Sequence, residues 1–571
     1  MQKIKNYIKL ILQIFFFISI FNQINAKNLD KYYQEDKISN YFSGIVSLQD
    51  SDYINSYKFF KQLNGLENIH SSYSRYYQHS LINLKKFDEA FSHSKKMENL
   101  NIDNFESNLI IGVYYLKQKN FEKAKKYFQK LKKQNQRNLL SKILSESLNT
   151  WVEFDKLSEE NAVKRINNYS KDFSNIKKIQ STFLACYYES ENTNEKFEKI
   201  TSDKKVNFSR YNFFYANYLF NNGEKRKAIN ILDHSLDIYP RNLILRQLKN
   251  DLELNDKTSQ SNQFQCKKIN HVIAEIFYVV SNALAAESLY ALSNFYLNMA
   301  IYLNPNFISF KTLLAENFYL LKFYKNSSKI YYDIKKGGEV YNWYASKQIT
   351  KILVEKDKEK KGLIFLTKTF NAINDPTLNE MYDFATFLKN NEKFKEAILL
   401  YSNVLEKIDD KHILYSSVLE GRGVAYERSG EWNKAEKDLI ASLESLPDQA
   451  YVINYLAYSW IEKGKNIQKS LEMLKKASEL KKNDGYILDS LGWAYFKLQD
   501  YTEAQKYLQL AVQIMPYDPV INDHYADALW MNNKKIQARY IWEYVLNLEK
   551  VKKEEVEIIR KKLILGLKIK I

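Results

Sequence analysis

A small residue is followed twelve positions later by another, and four beyond that by a large apolar one. This pattern returns about every 34 residues. Gly492, Ala504 and Leu508 form one instance, Gly423, Ala435 and Leu439 another, and Ala526, Ala538 and Trp542 a third; Ala457, Ser470 and Leu474 fit with one inserted residue. The leading positions 423, 457, 492 and 526 are spaced 34, 35 and 34. A unit of this length cannot bury its apolar face alone and must stack on neighbours, and small residues at a fixed spacing suit two helices that cross closely. Gly or Ala where the two helices cross lets their backbones approach. The large residues fill the gap to the next unit. Pro447 and Pro516 close their units because proline cannot continue a helix.

The same phase recurs upstream. Gly112, Ala124 and Phe128 match, as do Ala216, Ala228 and Leu232 with Pro240, Ser281, Ser293 and Leu297 with Pro305, Ala315, Ser327 and Tyr331, and Ala385, Ala397 and Tyr401. Gly44, Ser56 and Phe60 give the earliest instance. From Gly44 to Ala526 the period allows about 15 slots. Segments near 146–215, 245–275 and 345–380 lack the signature and are expected to hold degenerate helix pairs. The pattern resembles the tetratricopeptide repeat, with its 34-residue period. That resemblance implies an all-α, right-handed superhelical solenoid.

Composition agrees. Only 14 Gly and 6 Pro occur in 571 residues, against about 12% for the two together in ordinary proteins, which disfavours turn-rich β folds. The net charge of +18 is spread as Lys among Glu and Asp along the chain, the pattern of solvated helix faces rather than of a nucleic-acid surface. Residues 1–26 read as a secretory signal: Lys3, Lys5 and Lys9, the apolar run Leu10–Phe21, then Asn22–Ala26 ending in a small residue. The apolar run is shorter than the roughly 20 residues of a spanning helix, so cleavage is preferred to retention as an anchor. No later run reads as long and apolar enough to span. The mature chain is expected to be exported and, in a Gram-negative host, periplasmic.

The remaining divisions expected are an N-terminal array over 27–254, a polar hinge over 255–270, a C-terminal array over 271–548 and a capping helix with basic tail over 549–571. The hinge rests on Asn255–Gln265, which has no helical apolar period. The cap rests on Val556, Ile559, Leu563 and Leu567 at helical spacing. The Lys residues of that helix would also suit a peripheral membrane contact.

Motifs that carry chemistry are missing. There is no GxGxxG and no GxxxxGK[ST], and none of the seven His forms HExxH or a metal-spaced pair. Cys186 and Cys266 are read as small buried hydrophobes, and His524 as a structural hydrogen-bonding group. No enzyme, cofactor or metal is expected.

The segments from Asn454 to Trp460, Asp484 to Ala494 and Asp518 to Trp530 are more specifically similar to the last repeats of large exported tetratricopeptide repeat proteins of alphaproteobacteria. That resemblance implies a non-enzymatic interaction protein of the cell envelope, whose first helix in each unit lines a concave groove. The matching positions are Tyr451, Asn454, Tyr458 and Ile461, then Tyr486, Asp489, Trp493 and Phe496, then Val520, Asp523, Asp527 and Trp530. Asp489 and Asp523 stand where chaperone-binding members carry Lys and Asn, so no carboxylate clamp is expected. An apolar-aromatic segment of another envelope protein with some positive charge fits better. Alternatively the aromatics stack on an envelope glycan or exported polysaccharide, or they pack against neighbouring helices.

Overall fold

The computed structural model describes residues 35–134, 139–169, 173–202, 208–254, 262–548, 551 and 553–567. The signal sequence 1–26, the stretch 255–261 and the tail beyond Leu567 lie outside the described residues. Among the described residues there are thirty α-helices, one short 3-10 turn at Phe154–Lys156 and no strand, only an isolated bridge between Asn262 and Phe307. The protein is an all-α solenoid of stacked helix pairs in which successive helices pack on one another.

The spacing read from the sequence is the packing itself. A Cβ on Gly492 would lie 2.6 Å from Leu508, one on Gly44 2.6 Å from Phe60, and one on Gly112 inside the ring of Phe128. Each leading glycine thus meets the residue sixteen positions on, across the helix crossing. Ala124, Ala228, Ala435, Ala504 and Ala538, the second small residues, are fully buried.

Turns between paired helices solve a problem that a glycine-poor chain must face. The first helix of a pair ends on a residue with positive φ, and the next N–H reaches back to a carbonyl five residues earlier: Lys86 to Leu81, Asn120 to Tyr115, Phe323 to Phe318, Asp500 to Tyr495. The left-handed residue is Gly at 223 and 430, but Lys at 85, 119 and 322, Gln at 499 and Asn at 533. Helix starts are capped in the last units by Asp484, Asp500 and Asp518, whose carboxylates accept N–H bonds, with Pro519 in the first turn of its helix.

The chain forms two compact units, one through Leu366 and one from Thr367. Their division falls within the helix Glu359–Asn371 and not at 255–270. The degenerate segments near 146–215 and 345–380 do hold successive helices, such as Leu139–Trp151 with Glu159–Asn167, and Glu339–Val354 with Glu359–Asn371, the last of which runs past the boundary between the units. Near 245–275 the described residues hold the helix Leu243–Glu253 and the start of Ile269–Ala286, and Leu243–Glu253 packs on Glu339–Val354 far along the chain. There Gln247 accepts hydrogen bonds from the N–H groups of Val340 and Tyr341 (3.1 and 3.4 Å).

The helices that follow turn back onto the first repeats. Ile269–Ala286 packs on Leu139–Trp151, and Tyr290–Leu303 packs on Ser71–Asn83 and on Phe105–Lys117. Phe295 stacks on His79 at 4.2 Å, Tyr302 stacks on Phe87 at 3.8 Å, and the Asn298 amide donates to Asn83 at 3.1 Å. One continuous apolar core consequently runs from Tyr53 to Phe318. By length and composition Ile269–Ala286 could cross a membrane, contrary to the sequence reading. In this fold it is a core helix with Val272, Ile273, Ala274 and Phe277 fully buried.

The segment expected to be a hinge is pinned from 262 onward. Cys266 is joined to Cys186 by a disulfide, with the two Cα atoms 5.7 Å apart. This corrects the reading of both cysteines as simple hydrophobes. Asn262 accepts from the Ser309 N–H and donates to the Tyr341 hydroxyl, and Asn217 donates to the Phe264 carbonyl. Below them Arg210 holds Glu275 through two hydrogen bonds of 2.7 and 2.8 Å, donates to Ser309, and lies 3.8 Å from the Tyr278 ring centroid.

Candidate interaction surface

In the second unit three successive first helices carry the residues expected to line a groove: Ala450–Glu462, Gly485–Lys497 and Pro519–Met531. Side chains three and four apart share a helix face. Tyr451, Asn454 and Tyr458 therefore form one row, Tyr486, Asp489, Trp493 and Phe496 the next, and Asp523, Asp527 and Trp530 the last. The structure separates these ten residues, together with Val520, into a free edge and an interior of contacts within the protein.

The free edge is the position nearest each helix start. Tyr451 is 51% exposed, Tyr486 54% and Val520 41%. They are 35 and 34 positions apart, one per unit, so they form a ladder along the array. The Tyr451 hydroxyl donates to Asp484 and accepts from Lys481, whose ammonium lies 4.1 Å from the Tyr451 ring centroid.

Deeper positions face one another. Trp493 is only 9% exposed. Its indole N–H donates to Glu462 at 2.7 Å, and its ring stacks between Phe496 (4.7 Å) and His524 (4.0 Å). Asp489 is buried and bonded to His524 Nδ1 at 2.9 Å. Burial alone would lower the His524 pKa, but the Asp489 carboxylate, helped by Asp523 and Asp527, raises it above the ordinary histidine value. Asn454 and Tyr458 are half-buried, the Asn454 carbonyl without a partner, and burial raises the Tyr458 hydroxyl well above its usual range. Ile461 is buried.

The last row is occupied by the chain's own end. Lys562, on the helix Lys553–Leu565, sits 2.8 Å from both oxygens of Asp523 and from both oxygens of Asp527. Asp527 also accepts from the Trp542 indole at 3.1 Å. Burial and the adjacent Asp523 push the Asp527 pKa up to about 6, against the pull of Lys562. Trp530 packs on Trp542 at 5.5 Å and against the backbone at Gly566, where a Cβ would enter its ring. Asp489, Trp493, Asp523, Asp527 and Trp530 are therefore internal contacts rather than open groove positions.

Sequence reasoning missed Lys562 although the signal was present. It lies beside Leu563, on the same side of the helix as Ile559, where an amphipathic cap should place no charge. Among the described residues no three His, Cys, Asp or Glu side chains are grouped as a metal site.

Comparison with known proteins supports the repeat reading. The tetratricopeptide repeat family matches residues 365–551, and a second tetratricopeptide repeat description matches residues 105–138. A TPR repeat-containing protein of Pseudomonas aeruginosa is 29% identical over 133 residues, which are 23% of this chain and 22% of that protein. The chain thus spans about a fifth of that relative's length. Among solved structures, a tetratricopeptide repeat protein of Parabacteroides merdae aligns at 18% identity over 39% of this chain and 85% of its own, with a TM-score of 0.32. A thermophilic TPR protein of Thermus thermophilus aligns at 14% identity over 33% of this chain and 100% of its own, with a TM-score of 0.29.

Proposed function

We propose that this chain is an exported, non-enzymatic scaffold of the cell envelope that binds another envelope protein through its C-terminal repeats and supports assembly of a complex there. Repeats of this kind typically serve protein–protein interaction. The observation that carries the binding reading is the ladder of Tyr451, Tyr486 and Val520, exposed at matching places in successive units. Tyrosine supplies a large contact area at small entropic cost, which suits it to anchoring an interface. The buried aromatics beside the ladder fix its position, and Asp484 and Lys481 hold Tyr451 in place.

Two independent features support export. Residues 1–26 have the three parts of a secretory signal. The Cys186–Cys266 disulfide belongs to an oxidising compartment, since such bonds are rare where thiols are kept reduced.

The test is crosslinking and capture from intact cells, with wild type beside a Tyr451→Ala, Tyr486→Ala variant. Both side chains are exposed, so the fold should survive. Wild type is expected to retain an envelope protein that the variant loses. Equal capture by both would move the binding surface elsewhere. Fractionation, with the two cysteines scored as oxidised or alkylatable, checks export, and a cytosolic, reduced protein would sink it.

A further inference from the structure

Between the earlier helices of the first unit and those that return onto them lies a cavity of about 650 Å³, a size typical of sites for small organic molecules. Asn175, Ser209, Asn242 and Ser309 line it, and each stands within one residue of a helix start. Two of these starts touch, the Asn242 amide donating to the Ser209 hydroxyl at 3.5 Å. Arg210 ties in a third by donating to Ser309 at 2.7 Å. Four helix N-termini thus converge here, and each carries a partial positive charge.

The side chains add to that charge. The lining includes Arg210 and Arg241 and no Asp or Glu. Arg210 is matched by Glu275, whereas Arg241 is exposed and makes no ion pair among the described residues. Tyr211, only 5% exposed, also lines the cavity, and its hydroxyl has no hydrogen-bond partner among the described residues. Buried polar groups are normally bonded. One cation and one buried hydroxyl therefore stand unmatched in the same cavity.

A narrow apolar slot continues from it, sharing Ile176, Ile179 and Val279 and lined further by Ile143, Phe183 and Ile276. Its two polar lining residues are already engaged. Gln180 is bonded to Trp151, Tyr169 and Ser147, and both Glu275 oxygens accept from Arg210. A peptide entering the slot would bury its amides without partners, which is costly. An alkyl chain has no polar atoms to satisfy and gains by leaving water.

We propose that this cavity binds a single-chain amphiphilic anion, its carboxylate or phosphate head at Arg241 and the converging helix starts, its alkyl tail along Ile176, Ile179 and Val279. The inference goes beyond the scaffold reading. Capture through Tyr451 and Tyr486 in the second unit can succeed or fail without it.

The test is titration calorimetry of the full-length protein with decanoate and with decyl phosphate, each below its micelle concentration. Wild type is expected to bind at least one of them and not decyltrimethylammonium. Whichever head binds more tightly tells a fatty acid from a phospholipid as the source. Arg241→Ala, at an exposed position, should weaken binding about tenfold, the loss expected of one charge-assisted hydrogen bond. No binding of either anion, unchanged affinity in the folded Arg241→Ala variant, or decanol binding as tightly as decanoate overturns the proposal. So does a preference for a short peptide with a free terminal carboxylate. The tail is placed separately, on wild type. Decanoate carrying a diazirine at its far end should crosslink within Ser174–Tyr188 or Ile269–Ala286, and labelling confined to other helices again overturns it.

Discussion

Gly112 lacks a side chain because the Phe128 ring fills the place where one would go. Gly112→Ala and Gly492→Ala should each lower stability by about 1–3 kcal/mol through overpacking, read as a lower denaturant midpoint with unchanged slope. Histidines make a second residue-scale prediction. Burial lowers His79, His93 and His271 in the first unit to about 4. Unfolded, they take up protons near 6.5, so their contribution is complete above that pH and lost as pH falls toward 4. In the second unit the signs reverse. His524 is raised, so its contribution is present below 6.5 and lost on raising pH through its folded value, and Asp527, raised to about 6, gains protons on folding between 3.8 and 6. Calorimetry at pH 7.5 and pH 5 should therefore show the first unit's transition fall while the second unit's holds or rises. The small-residue slots were legible in the sequence because their partners lie sixteen positions away, inside the same unit. Asp489 and Asp527 were placed on the right face but not with their partners, because His524 and Lys562 lie 35 residues further along, where periodicity says which way a side chain points and not what meets it.

Between the Leu243–Glu253 and Ile269–Ala286 helices, composition misleads in an instructive way. A polar stretch without apolar period looks like a hinge. From 262 onward it is instead stapled by a disulfide and by buried amides whose partners, Ser309 and Tyr341, lie 47 and 79 residues away. Local pattern carries no record of such distant contacts. Replacing Cys186 and Cys266 by Ser opens an 80-residue loop and should destabilise the first unit by about 2–4 kcal/mol. Thermal unfolding with and without reductant should show the loss in the first unit's transition alone. Glu275→Gln tests the neighbouring pair. It leaves Arg210 buried without its counter-charge, and breaking a buried pair on one side costs about 3–5 kcal/mol, again in the first unit. The terminal helix was foreseen as a cap over the last unit. Its entry into the row of Asp523 and Asp527 was not, because a lysine in an amphipathic pattern reads as solvated until two carboxylates are found beneath it.

As a whole the chain keeps one repeat clock but two different economies of contact. The second unit closes each contact within a repeat or the next one. The first is closed by helices that belong to its middle: Asn83 waits for Asn298, 215 positions later, and His79 for Phe295. Separation along the chain slows folding, because loop closure must be completed before the contact rewards it. The opening repeats therefore leave the ribosome, and by the proposed route cross the membrane, with the aromatic face around His79 and Phe87 still bare. Until residue 303 has followed, that face is a temporary client for any holding chaperone. Pulse-labelled hydrogen exchange during refolding should find Gly485–Lys497 protected before Ser71–Asn83, so that the part made first is the part finished last.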